Sequence, residues 1–134
     1  MGCNGGYLNH AWEYLEDTGI VTDACFPYTA GHGLAPKCQV KCTTGGVFQK
    51  YKCQSGTIVE ATTSSQIKSS IYNQGPMETG FTVYSDFFNY KSGVYKHVSG
   101  NPAGGHAVKI VGWGQENGTN YWICANSWGT AWGE

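Results

Sequence analysis

The sequence has no arginine: all eight of its basic residues are lysines, set against nine acidic residues in a chain of 134. Without guanidinium groups it has no bidentate clamp for phosphate or guanine. Lys37, Lys41, Lys50 and Lys52 make a loose basic stretch, but no regularly spaced aromatics interleave with it, so it reads as a solvated loop. Nucleic acid is not an expected partner. Long apolar runs are lacking too. Nothing approaches the roughly 20 residues that span a bilayer, and Met1-Gly2-Cys3-Asn4 does not open a basic segment followed by an apolar one. Neither a signal peptide nor a membrane anchor is visible, and no membrane partner is expected. Charged residues are scarce at 13%, while 40% of the chain is apolar, the balance of a packed domain rather than of a disordered tail.

Cysteine, in contrast, is plentiful. Six in so short a chain (Cys3, Cys25, Cys38, Cys42, Cys53 and Cys124) point to disulfides made in an oxidising compartment, which conflicts with the missing signal. A truncated N-terminus reconciles the two. A metal protein built on Cys38, Cys42 and histidines would need paired Cys-x-x-Cys spacing, which is absent, so no metal or other cofactor is expected.

Leu8, Ala11, Trp12 and Leu15 recur at the i, i+3, i+4, i+7 spacing of one helical stripe, and Gly19 is placed to stop that helix. Residues 22 to 57 hold four cysteines and no sustained period, which predicts a loop-rich stretch in which cross-links replace a core. A second helix is expected over Thr63 to Gln74. Thr63 and Gln66 form a candidate capping box there, Ile67 and Ile71 are spaced by four, and Gly75-Pro76 ends it. The chain then changes character. Met77 to Tyr84, Val94 with Tyr95, Ala107 to Trp113, and Tyr121 to Ala125 read as strand segments, and Asn117-Gly118 is a hairpin turn signal between the last two. The second half is expected to be mainly antiparallel β. Asn117-Gly118-Thr119 is also a glycosylation sequon, although the turn alone accounts for Asn-Gly.

Four short patterns carry the chemistry: Cys3-Asn4-Gly5-Gly6, then Tyr84 to Tyr95 with its Ser-Gly-Val-Tyr, then Gly104-Gly105-His106-Ala107, then Asn126-Ser127-Trp128-Gly129. In this order and spacing they resemble the papain-like cysteine peptidases. Gly112-Trp113-Gly114 and Tyr84-Ser85-Asp86-Phe87 lean toward the cathepsin B-like branch. The resemblance implies an α+β fold with two lobes, truncated here: about 1-30 from the helical lobe, about 31-62 a disulfide-rich loop region, and about 63-134 most of an antiparallel β-barrel lobe.

It also implies roles. A thiol at neutral pH is mostly protonated, so a neighbouring imidazole must take its proton and a third group must orient that imidazole. By resemblance, His106 is the base and Asn126 the orienting amide, with Trp128 covering their hydrogen bond from water. A histidine among glycines would otherwise be read as an ordinary half-buried one. For substrate, Gly6 would pair with an extended peptide like an added strand, helped by Gly5, and Gly105 would offer a carbonyl. Tyr7, Leu8, Gly104 and Ala107 would line an apolar pocket, and Trp132 the leaving-group side. A tight turn into the first helix explains Gly5-Gly6 equally well. Cys25 would pair with Cys42, and Cys3 and Cys38 with upstream cysteines; Cys53 and Cys124 stay unassigned.

The nucleophile's own segment, Cys-Gly-Ser/Ala-Cys-Trp/Tyr, belongs roughly 130 to 150 residues before the histidine and asparagine, which runs off this chain. Ala24-Cys25-Phe26 comes nearest, but Pro27 to Gly33 has two glycines and no apolar stripe, so it cannot supply the helix whose N-terminus acidifies a thiol. The expectation is a fragment of a cysteine-type endopeptidase, inactive alone, whose partners are a peptide substrate and the upstream part of its own domain. Only His32 lies between Cys25 and Cys38, too little for an occluding loop with adjacent histidines, which disfavours exopeptidase action. The family's setting is lysosomal, vacuolar or extracellular. A catalytically dead homologue that binds peptides or serves structurally is the alternative.

Overall fold

The structure, a computed structural model, describes residues 2–134 and divides into two units, one ending at Val59 and the other running Glu60–Glu134.

In the first unit, α1 (Leu8–Asp17) forms where the apolar stripe predicts it, with Leu8, Trp12 and Leu15 half-buried and Ala11 exposed. It ends at a turn in which the backbone N–H groups of Thr18 and Gly19 both donate to Tyr14 O, at 2.8 and 2.9 Å. Gly19 is the stop for two reasons. Its φ of +76° is left-handed, and a Cβ there would lie 2.6 Å from Tyr51 O. That close approach lets Ile20 and Tyr51 exchange backbone hydrogen bonds, and it lets Cys53 N–H reach Leu15 O at 3.1 Å. Residues 22 to 57 are otherwise loops and turns apart from the short 3-10 turn Ala30–His32, as expected. Cys25 and Cys42 are disulfide-bonded, and they are the only buried hydrophobic residues of this unit among those described. The cross-link stands where a core would be.

In the second unit, α2 (Ser64–Gln74) opens on the capping box: Gln66 N–H donates to Thr63 Oγ1 at 3.3 Å, and Thr63 N–H donates to Gln66 Oε1 at 3.1 Å. It packs on a sheet of β1 (Met77–Tyr84), β2 (Pro102–Glu116) and β3 (Thr119–Ala125), all antiparallel in the order β1-β2-β3. Asn117 (φ 50°) and Gly118 (φ 81°) turn β2 into β3. Val83, Phe87, Val108 and Ile110 are buried. The β2–β3 register shifts between Ile110 and Gly112, leaving Val111 as an extra, bulged residue.

One expected strand is missing: Val94 and Tyr95 join no ladder. Their segment is held by a side chain instead. Asp86, in the 3-10 turn Ser85–Asn89 that follows β1, accepts from Val98 N–H, Ser99 N–H and Tyr95 Oη–H, at 2.9, 3.2 and 2.7 Å. The carboxylate closes the loop through the Tyr95 hydroxyl and the Val98 and Ser99 amides, not through a ladder.

Candidate active site

Along β2, His106, Val108 and Ile110 alternate with the exposed Ala107, Lys109 and Val111, so the imidazole projects on the buried face of the strand. Phe81 lies opposite it on β1, with ring centroids 5.9 Å apart at 69°. Asn126 follows the last residue of β3, and its Oδ1 lies 2.7 Å from His106 Nε2.

The amide's orientation is fixed by a second bond: Ser127 N–H donates to the same Oδ1 at 2.8 Å, so the oxygen, not the nitrogen, faces the ring. A carbonyl oxygen only accepts, so His106 Nε2 carries the hydrogen. In the neutral ring, that leaves the lone pair on Nδ1. Asn126 Nδ2 is buried without a hydrogen-bond partner among the described residues.

An aromatic wall backs this pair. The Trp128 ring lies 4.9 Å from the imidazole at 33°, and Phe88 stacks on Trp128 at 5.4 Å. Buried Phe87 is the hub, meeting Phe81, Tyr90, Tyr95, Trp128 and Trp132 at ring distances between 4.6 and 6.0 Å. Trp132 donates its indole N–H to Phe87 O at 3.2 Å and packs on Trp128 at 4.9 Å, which makes it a half-buried member of the wall. The importance of Phe87 and Asp86 was not read from the sequence. Their signal lay in Tyr84-Ser85-Asp86-Phe87, which marked a branch but suggested no contacts.

The family model for papain family cysteine proteases matches residues 1–134. The chain belongs to that family. Its papain-family relatives include Cathepsin B-like CP3 of Giardia intestinalis, 42% identical over 136 residues, and Cathepsin B-like cysteine proteinase 3 of Caenorhabditis elegans, 40% identical over 152. These alignments cover 100% and 99% of this chain but 46% and 41% of the relatives, so it spans less than half of their length. Among solved structures, proCathepsin B S9 from Trypanosoma congolense matches 98% of the chain and 46% of its own at 44% identity, with a TM-score of 0.87. Procathepsin L2 from Tenebrio molitor matches at 29% identity, 99% and 41% coverage, and a TM-score of 0.68. The papain-like α+β fold and the cathepsin B-like branch expected from the motifs are therefore present.

The remaining candidates fall in two places. Gly5, Gly6 and Tyr7 are exposed and Leu8 is half-buried at the start of α1, in the first unit. Gly104, Gly105 and Ala107 are exposed on β2, in the second, where a Cβ on either glycine would meet nothing within 4 Å. Both sets present open backbone. Of the cysteines, the 25–42 bond forms as the family implies, while Cys3, Cys38, Cys53 and Cys124 are free thiols. Cys124 sits on β3 opposite Ile110, and desolvation pushes its thiol above the ordinary range. That is the opposite of what activates a nucleophile.

Proposed function

We propose that this chain supplies the base and the orienting amide of a Cys/His/Asn endopeptidase, the nucleophile coming from polypeptide outside these 134 residues. The observation that carries the reading is the bond from His106 Nε2–H to Asn126 Oδ1, which directs the free lone pair at Nδ1 toward an incoming thiol. Nδ1 takes the thiol proton, and the imidazolium then holds hydrogens on both nitrogens beside the thiolate. As the thiolate attacks a peptide carbonyl and the C–N bond breaks, Nδ1–H passes its proton to the leaving amine. Water then releases the acyl group from sulfur. Trp128 lies against the ring and excludes water from the Nε2–Oδ1 bond, which strengthens it.

Two facts support inactivity of the chain alone. Cys25 is consumed in a disulfide, and Cys124, the cysteine that shares a unit with His106, has a thiol made less acidic by its surroundings. The exposed backbone at Gly5-Gly6 and at Gly104-Gly105 suits pairing with an extended peptide. The disulfide supports an oxidising location, lysosomal, vacuolar or extracellular. A fluorogenic dipeptidyl substrate tests the proposal. The chain alone should give no thiol-sensitive cleavage. In the protein extended upstream to include the Cys-Gly-Ser/Ala-Cys-Trp/Tyr segment, His106→Ala should lower kcat/KM by roughly 10²-fold or more. Cleavage by the isolated chain, or an H106A variant as active as its parent, would overturn the assignment.

A further inference from the structure

We propose that Asp86 is a positioning residue for the His106–Asn126 pair, acting through the aromatic wall that it anchors. The inference rests on reading His106 as the base. Asp86 lies in the 3-10 turn Ser85–Asn89, whose next two residues are Phe87 and Phe88. Its Oδ1 accepts from Tyr95 Oη–H at 2.7 Å, and its Oδ2 accepts from Val98 N–H and Ser99 N–H. His97 Nδ1 lies 3.1 and 3.2 Å from the two oxygens, and since a carboxylate only accepts, that nitrogen carries the hydrogen. His97 is itself stacked on Tyr84 at 3.7 Å, at the end of β1. The carboxylate therefore ties the 95–99 segment to the turn and to the strand at once.

The turn in its turn holds the wall. Phe88 stacks on Trp128, Phe87 meets the same indole edge-on at 5.5 Å, and Trp128 lies on the His106 ring. Tyr95, besides donating to Asp86, packs on Phe87 at 4.6 Å, so hydroxyl and ring act on the same two residues. Two backbone features reinforce the closure. Ser85 N–H donates to Asn101 O at 3.1 Å, and Gly100 approaches Ser85 so closely that a Cβ there would overlap its Oγ. Four donors converge on one small carboxylate, the His97 N–H facing both of its oxygens, in a segment that has no ladder. They fix the one turn whose two aromatic side chains both reach Trp128.

Long-range proton–nitrogen NMR of the histidine rings, in the protein extended upstream with its nucleophilic cysteine replaced by alanine, tests this. The signal is the tautomer of His106, not cleavage, so failure would leave the catalytic reading of His106 standing. The parent chain should show one His106 tautomer, with hydrogen on Nε2. Asp86→Asn should lose it, read as convergence of the two ring-nitrogen shifts together with weakening of the His106–Trp128 nuclear Overhauser contact. Tyr95→Phe, which removes a single donor and keeps the ring, should move both signals in the same direction by less. Thr63→Ala, which weakens the cap of α2 away from the wall, controls for general loss of stability and should move neither. If D86N does not fold, Y95F decides. Unchanged His106 signals in D86N or Y95F, or an equal change in T63A, would overturn the proposal.

Discussion

Asp86 shows how much one side chain can set for its neighbours. Its hydrogen bonds, the largest contribution coming from Val98 N–H, hold its carboxyl well below the ordinary carboxylate range. Because the folded value lies below the unfolded one, the stabilisation is fully present above pH about 4, where an unfolded Asp is already ionised, and is lost as pH falls from there toward the depressed value. Tyr95 gives the mirror image. Burial first, and the Asp86 carboxylate second, push its hydroxyl up to about 12, so its contribution is intact below pH about 10 and fades as pH rises through the folded value. Unfolding monitored against pH should therefore show an acid limb below pH about 4 that is weaker in Asp86→Asn, and an alkaline limb above about 10 that is weaker in Tyr95→Phe. Equal limbs in parent and variants would contradict this. At this scale the sequence was informative about identity and poor about contact. His106 and Asn126 stood out because short motifs flank them, whereas nothing local announces that Asp86, twelve and thirteen residues before its partners Val98 and Ser99, binds their amides.

The elements were largely legible. The capping box at Thr63 and Gln66, the stripe of α1 and the Asn-Gly turn are all local signals, set by side-chain and backbone chemistry within a few residues, and all three form where expected. The strand expected at Val94 and Tyr95 did not form, because β composition describes a side chain's fit to a sheet and does not supply a partner for the backbone. The Val111 bulge was likewise invisible, since register belongs to two strands together. The capping box gives the cleanest energetic test at this scale. Thr63→Ala should cost about 1 kcal/mol of stability, measured by urea unfolding, because it leaves the Gln66 N–H without its acceptor.

Taken whole, the chain buries little. Its accessible surface is 10057 Å², whereas a folded monomer of 14.5 kDa would expose roughly 6,900 Å² and two separate bodies of half that mass roughly 8,300 Å². Only six hydrophobic residues are buried among those described, and no side chain is fully buried. Tyr28, Leu34, Val40, Val47, Tyr72 and Val98 are each at least 79% exposed, and β3 pairs only on its β2 side among the described residues. The isolated chain should therefore unfold at low temperature with a broad transition and bind a hydrophobic dye such as ANS. A sharp transition at high temperature with no dye binding would contradict this. Composition alone suggested an ordinary packed domain, since an apolar fraction measures how much could be buried, not how much this length of chain can cover.

The bulge at Val111 acts as a phase shifter between the hairpin and the His106–Asn126 pair. Beyond it, Gly112 stands opposite Ile123; before it, Ile110 stands opposite Cys124 and Lys109 opposite Ala125. Carried one step further, this puts Asn126 opposite Val108, in phase with His106 on the same face of the sheet. Were the Gly112–Ile123 register to continue unbroken, Asn126 would fall opposite Lys109, and its amide would emerge on the far side. Deleting Val111 leaves Ile110 opposite Cys124 and Asn126 opposite Val108, so it should spare the pair, whereas inserting one alanine between Ala125 and Asn126 should turn the amide to the far side. The chain with the insertion would keep its Asn117-Gly118 hairpin and lose the single Nε2–H tautomer of His106.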